Sequence, residues 1–354
     1  MTFNIGDRAV GPDEPTYFIA DIAANHDGDL DRAVELIRLA AEAGADAAKF
    51  QNFTAEKIVS DYGFRALGGQ QSHQASWRKS VFEVYADASI PAEWTPTLKA
   101  ACDEHGIHYF SAPYDLDAID MLDPYMPAYK VGSGDVDWLQ SIRAMAEKGK
   151  PVLVATGASE LSDVVAAVDT VLAVNPQLCL MQCNTNYTGD HDNLRYINLR
   201  VLESYRTLFP TVVLGLSDHT AGHATVLGAI ALGARVVEKH FTDDTGREGP
   251  DHGFSMDPVT WRQMVEAARE LEVALGGTLK RVEPNERETV VLQRRCLRAA
   301  RDLSEGTVLT ADDIDVLRPA TPGALAPTAF DAAVGRAVRR PLVRGQELTW
   351  ADLD

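Results

Sequence analysis

Little in this chain suits a membrane, a nucleic acid or an oxidising compartment. Among its 354 residues no apolar run reaches the ~18 that a bilayer-crossing helix needs. Only four cysteines occur, Cys102, Cys179, Cys183 and Cys296, and none has CxxC spacing. Cys179 and Cys183 fall on one expected strand, too far apart to bridge. The expectation is reduced thiols in a cytoplasmic protein, in line with a polar first stretch, residues 1–15, that does not resemble a secretory leader. Positive charge is scarce: 33 Lys and Arg against 52 Asp and Glu leave a net charge of −19. Such a surface disfavours nucleic acids and anionic membranes as partners, although a pocket's local field can oppose the global one. A glycine-rich phosphate turn is also missing after the first expected strand, where the chain reads ANHDGDL.

What is present concentrates in residues 215–258, GLSDHTAGHATVLGAIALGARVVEKHFTDDTGREGPDHGFSMDP. Two apolar runs, 212–216 and 234–237, each end in a polar cluster, Ser217-Asp218-His219 and Glu238-Lys239-His240. The small apolar stretch 223–233 between them predicts a helix, so the runs are parallel neighbouring strands. Side chains alternate along a strand. Ser217 and His219 therefore share one face, Glu238 and His240 share one face, and Asp218 and Lys239 point the other way. Two imidazoles at the same ends of adjacent strands suit a divalent cation with open positions for substrate. The plainer alternative is two strand-capping histidines bonded to nearby backbone.

Eight short apolar runs, 17–24, 46–51, 107–111, 128–132, 151–156, 178–185, 212–217 and 234–240, alternate with helical patterns. They predict an α/β fold, a (β/α)8 TIM barrel over residues 1–280. A doubly wound open sheet is the structural alternative. Residues 52–89 read as a long irregular loop or lid, and 281–295 as a polar linker. Residues 296–354 read as a small β-rich domain whose halves echo each other, RDLSEGTVLTADDI and RPLVRGQELTWADL. A domain of ~60 residues has a marginal core and is expected to dock on something.

In a barrel the C-terminal strand ends line one mouth. That rule gathers Asp21 to His26, Lys49 and Gln51, Ser111 to Tyr114, Lys130 and Ser133, Thr156, Thr185 and Tyr187, Ser217 and His219, and Glu238 and His240. Lysines at strand ends need an anion. Either Lys49 and Lys130 pair with barrel carboxylates, or they hold a phosphate and carboxylate ligand with Ser133, Thr185 and Ser217 nearby. Each ammonium–oxyanion contact gives roughly 4 kcal/mol at an effective dielectric of ~20, before desolvation. A Schiff-base lysine is a rival reading that has no need of paired histidines.

The motifs KFQ, AYKVGSGD, GLSDHT, EKHFT, GPDHGFSMDP and RDLSEGTVLTADDIDVLRP resemble the sialic acid synthase family, N-acetylneuraminate synthase and its pseudaminic and legionaminic relatives. The likeness spans nearly the whole chain. It implies a TIM barrel followed by an antifreeze-like SAF (β-clip) domain, in a domain-swapped homodimer. It implies condensation of phosphoenolpyruvate with an open-chain N-acylated hexose, N-acetylmannosamine or a diacetamido-hexose, to give a nine-carbon 2-keto acid and phosphate. By the same resemblance His219 and His240 hold a divalent metal, manganese with magnesium or cobalt as alternatives. Lys49, Lys130, Ser133, Thr185 and Ser217 contact phosphoenolpyruvate; Gln51, Tyr187 and Asp251 contact the sugar. Glu238 is the inward carboxylate beside the metal, Asp21 or Glu238 handles the water, and Arg318 crosses the dimer to the N-acyl group.

Three departures stand out. Asp21 replaces the family's glutamate, Ser111-Ala112-Pro113 replaces STP, and RPATPG replaces the RPG-G turn. The stretch SHQASWRKSVFEVY also differs and is expected to reshape the lid. Two other functions fit the residues less completely. One is a phosphoenolpyruvate-dependent synthase acting on a non-acylated sugar aldehyde, such as a 3-deoxy-sugar-acid phosphate synthase, although those lack the C-terminal β domain. The other is a non-catalytic sugar-binding scaffold.

Overall fold

The computed structural model describes residues 1–70, 74–75 and 77–354. The chain divides into two compact units, Met1–Gly276 and Gly277–Asp354. Among the described residues no helix is long and apolar enough to cross a membrane.

The first unit begins with a hairpin of β1 (Phe3–Ile5) and β2 (Arg8–Val10). Eight parallel strands follow: β3 (Tyr17–Asp21), β4 (Ala47–Asn52), β5 (His108–Pro113), β6 (Tyr129–Val131), β7 (Val152–Ala155), β8 (Leu178–Cys183), β9 (Val213–Asp218) and β10 (Ala234–His240). Their order in the sheet is β5-β4-β3-β10-β9-β8-β7-β6, and β5 and β6 pack together, bringing the two ends of the sheet round as in a barrel. The chain reads as the expected barrel because each run is apolar on both faces, as a sheet covered by helices requires.

The alternation of side chains sorts the core into two shells. Tyr17, Ile19, Ala47, Phe110, Leu153, Cys179, Met181, Val213 and Val236 form one cluster with Phe3, Ile5 and Val10 of the hairpin. Phe18, Ala20, Ala48, Phe50, Tyr109, Tyr129, Val152, Leu180, Leu216 and Val237 belong to the other, with the surrounding helices. The helix Leu30–Glu42 shows the local logic. Asp29 accepts from the Arg32 amide at 3.1 Å at its start. Ala33, Leu36, Ile37 and Ala40 make one buried face, and Gly44 at φ +96° turns the chain out of the helix.

The structure corrects several expectations. Strand ends retreat by one to three residues at 17–24, 151–156 and 178–185. The stretch 52–89 is not irregular: it carries helices Ala55–Ile58, Asp61–Ala66 and Val81–Ala88. The last has a capping box in which Ser80 and Glu83 satisfy each other's backbone amides. Part of QQSHQ and of SHQASWRKSVFEVY, residues 71–73 and 76, lies outside the described residues. The expected linker 281–295 contains the helix Arg287–Gln293.

The second unit pairs β11 (Cys296–Ala299) with β12 (Ile314–Leu317) antiparallel around Leu297, Leu303, Leu309, Val338, Leu342, Leu348 and Leu353. Its echoing halves are echoes in space as well. Asp313 accepts from the Thr310 amide at 3.0 Å and from Arg301 at 2.7 Å. Asp352 accepts from the Thr349 amide at 3.0 Å and from Arg340 at 2.7 Å.

Candidate active site

Strand register assembles the site before any ligand is considered. His240 is level with Asp21, Asp21 with Lys49, and Glu238 with Ser217. All face the barrel interior by alternation from Val236, Ile19, Ala47 and Val213. Asp218 and Lys239 face outward and form a buried pair at 2.6 Å, fixed by Thr220 and Thr225. The strand-end alternation predicted from the polar-x-His clusters is the one observed.

Inside, two ammonium groups meet two carboxylates. Lys49 Nζ lies 2.7 Å from Asp21 Oδ2 and 3.6 Å from Glu238 Oε1. Lys130 Nζ lies 3.3 Å from the same Glu238 oxygen and donates to the Val131 carbonyl at 3.2 Å. All four residues are at most 4% exposed, so a lost partner would not be replaced by bulk water. Burial opposes the charge on Lys49, but Asp21 and Glu238 outweigh it and hold its pKa above the ordinary lysine value. Ser217 Oγ donates to Glu238 Oε1 at 3.4 Å. Glu238 Oε2 is buried without a hydrogen-bond partner. Of the two readings of the lysines, the structure shows the first: both are paired with barrel carboxylates.

The imidazoles converge. The rings of His219 and His240 lie 5.4 Å apart, with Phe254 against both at 6.0 and 4.8 Å. His219 Nδ1 is 3.0 Å from the Asn184 carbonyl oxygen, which fixes a proton on that nitrogen. His240 Nε2 is 3.5 Å from Asp21 Oδ2, while its Nδ1 is buried without a hydrogen-bond partner, 4.0 Å from Asp251 Oδ2. Burial, then the neighbouring His219 and Lys49, push the His240 pKa well below the usual range, so the ring is a neutral donor of a lone pair. Among the described residues no group of three or more His, Cys, Asp and Glu is gathered as a cation cage. Burial opposes the charge on His219, but its contacts with Cys183 and the Asn184 carbonyl outweigh it and hold its pKa above the ordinary imidazole value, so a cation would have to displace a proton there. The fit for a metal is one imidazole nitrogen from each histidine, with the rest of the coordination left to substrate and water.

Beside this network is a cavity of about 340 Å³ lined by Gln51, Ser133, Thr185, Tyr187, His240 and Asp251. Thr185 Oγ1 donates to Ser133 Oγ at 2.7 Å, and Gln51 Nε2 is 3.5 Å from Asp21 Oδ2. Tyr187 packs edge-on against His219 at 4.5 Å. Asp251 accepts from the Ala24 amide at 3.1 Å, and burial pushes its carboxyl up to about 6. Asp21, Lys49, Lys130, Ser217, His219 and Glu238 form the adjoining buried network. Arg318 belongs to the second unit, where its Nε donates to the Gln293 carbonyl at 2.7 Å.

Some mouth residues turn away. Ser111 bonds Asn52 at 2.6 Å, because alternation from inward Phe110 aims it at the helices. Thr156 donates to the Met181 carbonyl at 3.0 Å and accepts from Tyr205 at 2.9 Å. His26 accepts from the Gly28 amide at 3.0 Å and stacks edge-on with Trp94, a turn residue. The cavity also has walls that the strand-end rule does not gather: Phe53, Trp77, Tyr85 and Asp135. Asp135 sits in the GSGD turn after β6, a signal that could have found it. Phe53 directly follows β4, whereas Trp77 and Tyr85 lie away from any strand end.

Residues 36–280 match the NeuB family and residues 294–354 the SAF domain. The chain is 33% identical to N-acetylneuraminate-9-phosphate synthase of Homo sapiens, over 87% of this chain and 85% of that protein. It is 32% identical to N,N'-diacetyllegionaminic acid synthase of Legionella pneumophila, over 99% and 98%. The crystal structure of spore coat polysaccharide biosynthesis protein SpsE from Bacillus subtilis superposes with a TM-score of 0.66 at 31% identity, covering 100% of this chain and 99% of that one.

Proposed function

The chain belongs to the NeuB family, and on that premise we propose that it condenses phosphoenolpyruvate with the open-chain form of an N-acylated hexose, giving a nine-carbon 2-keto acid and inorganic phosphate. The observation that carries this reading is the buried pair Lys49 and Lys130, converging within 3.6 Å of one Glu238 oxygen next to two facing imidazoles. A doubly cationic pocket beside hydroxyls of Ser133, Thr185 and Ser217 suits a ligand bearing both phosphate and carboxylate. The ligand's oxyanions would take over as partners of the lysines, which stay charged throughout and hold the reacting carbons in line.

His219 and His240 would hold a divalent cation, manganese first and magnesium or cobalt as alternatives, which supplies Lewis-acid polarisation of the sugar carbonyl. Gln51, Tyr187 and Asp251 orient the sugar chain in the cavity. The methylene carbon of phosphoenolpyruvate bonds to the aldehyde carbon, whose oxygen becomes a hydroxyl by taking up a proton, and water adds to the enolpyruvyl carbon, giving up the proton that balances it. Glu238, with one oxygen lacking any partner, takes the proton from that water; Asp21, held by Lys49, is the alternative base. The C–O bond to phosphate then breaks, the hydroxyl proton of the tetrahedral carbon leaves to the departing phosphate, and that carbon becomes the ketone.

The reading extends to a cytoplasmic homodimer in which Arg318 of a second copy reaches the N-acyl group. The test is phosphate release from phosphoenolpyruvate with manganese, against N-acetylmannosamine, diacetamido-hexoses and unacylated hexoses. Release that depends on an N-acylated sugar supports the reading; no release with any sugar refutes it.

A further inference from the structure

The two facing imidazoles are not held by the sheet in the same way. His240 is still in register with Asp21 of β3, whereas β9 ends at Asp218 and its last partner in β10 is Lys239, so His219 lies beyond the paired part of its strand. Lys239 brackets it. Its Nζ donates to Asp218 Oδ2 and to the Thr220 carbonyl, each at 2.6 Å, and these are the residues on either side of His219. Asp218 is fixed in turn. Its Oδ1 accepts from the Thr220 amide at 3.2 Å, and its Oδ2 accepts from the hydroxyls of Thr220 at 2.9 Å and Thr225 at 2.7 Å, the latter in the helix Ala224–Ala231. Both charged side chains are 1% exposed. They face away from the barrel interior, so neither touches a ligand there. A buried ion pair adds little net stability, because desolvation offsets most of the attraction. What this one supplies is direction: a residue adjoining one imidazole bonds to both neighbours of the other.

We propose that Asp218 and Lys239 are positioning residues that set the distance between His219 and His240. The inference rests on the reading above, in which these two histidines hold one divalent cation, and deepens it. The rings lie 5.4 Å apart, and the Asn184 carbonyl orients the His219 ring. That contact sets the direction of the ring; the bracket from Lys239 sets where its backbone stands relative to β10. A metal–nitrogen bond tolerates a departure of only about 0.2 Å, so a backbone released at His219 weakens the site without removing a ligand. Partners that orient metal ligands typically account for about 10–100-fold in metal affinity.

The experiment titrates manganese into the full chain without substrates and follows free manganese by its EPR signal, beside urea unfolding of each protein. The double variant Asp218→Asn, Lys239→Met is nearly isosteric and leaves no buried charge behind. It is expected to fold and to bind manganese about 10–100-fold more weakly than the parent. Thr225→Val, which removes one hydroxyl from Asp218 Oδ2, is expected to weaken binding by a smaller factor, about threefold or more, and decides the matter alone if the double variant does not fold. Affinity within about twofold of the parent in a folded double variant, or in Thr225→Val where the double variant does not fold, would overturn the inference, whatever happens to the urea midpoint: the pair would then brace the fold and not the site. That result would leave the synthase reading intact. A parent chain that binds no manganese, with or without His219→Ala as the control, would remove the metal from that reading and the inference with it.

Discussion

Asp21 Oδ2 and Lys49 Nζ meet at 2.7 Å on adjacent strands, both about 2% exposed. The same oxygen is 3.5 Å from His240 Nε2 and 3.5 Å from Gln51 Nε2, so one carboxylate edge orders a lysine, an imidazole and an amide. Replacing Asp21 by Asn leaves Lys49 with only the longer contact to Glu238. Breaking a buried pair from one side costs about 3–5 kcal/mol. The D21N variant should lose stability on that scale in urea unfolding, with kcat/KM for phosphoenolpyruvate reduced. Stability within 1 kcal/mol of the parent, by the same measurement, would mean that the pair is not holding the barrel mouth together.

Asp251 gives the pH dependence a sign. Burial raises its folded pKa to about 6 from an ordinary 3.8. A carboxyl with a raised folded pKa binds more protons folded than unfolded. It favours the fold in acid, and that contribution is lost as pH rises from about 4 through about 6. The full shift corresponds to about 3 kcal/mol. Because the side chain is 18% exposed, solvent screening reduces the expected effect to about 1–2 kcal/mol. Asp251→Asn should therefore be more stable than the parent at pH 7.5, should converge with it near pH 4, and should bind sugar more weakly. Urea midpoints across pH check this; a variant destabilised at both pH values would show that the ionised group is not under strain.

Gly157 follows β7 and needs its hydrogen. A Cβ there would run into Thr185 Oγ1 and come within 3.0 Å of Cys183 Sγ. Thr185 would have to leave Ser133, its partner at 2.7 Å. Misplacing a positioning group by about 1 Å can cost up to about 100-fold. Gly157→Ala is expected to raise KM for phosphoenolpyruvate by about tenfold or more, with little change in the melting temperature. Steady-state kinetics with each substrate varied in turn will tell. A rise confined to the sugar KM would place Thr185 and Ser133 on the wrong ligand.

What the sequence made legible follows from periodicity. Counting in twos along runs with unmistakable apolar faces turns Lys49, Lys130, Ser217, Glu238 and His240 inward, and the structure keeps that phase. Ser111 failed because its strand begins at His108 and its inward residue is Phe110. The hairpin Phe3–Ile5 and Arg8–Val10 was invisible because three-residue strands show too little alternation to register. The short helices of 52–89 are hidden because helices of six and eight residues, started by Ser60 and Ser80 caps, leave little 3.6-residue pattern. Asn184, which orients His219 through its carbonyl, is a backbone contact with no side-chain signature. Asp251 came from the motif, since loop geometry has no period to read.

The duplicated motif in the second unit makes a symmetrical prediction. Asp313 and Asp352 are 3% and 1% exposed, and each accepts from a threonine amide, that threonine's hydroxyl and one arginine. The hydroxyl contacts are 2.8 Å at Thr310 and 2.7 Å at Thr349, so the two sites are equivalent in chemistry as well as in sequence. Removing either carboxylate takes away the charged acceptor shared by a threonine amide, its hydroxyl and an arginine, at about 1.5–3 kcal/mol. Asp313→Ala and Asp352→Ala should each lower the stability of this unit by that amount. Hydrogen exchange at Leu303, Leu309, Leu342 and Leu348, core residues of the two halves, resolves the loss locally. Because the halves share one core, each variant should speed exchange in both. Faster exchange confined to the mutated half would mean that the echo in sequence is two independent turns rather than one cooperative fold.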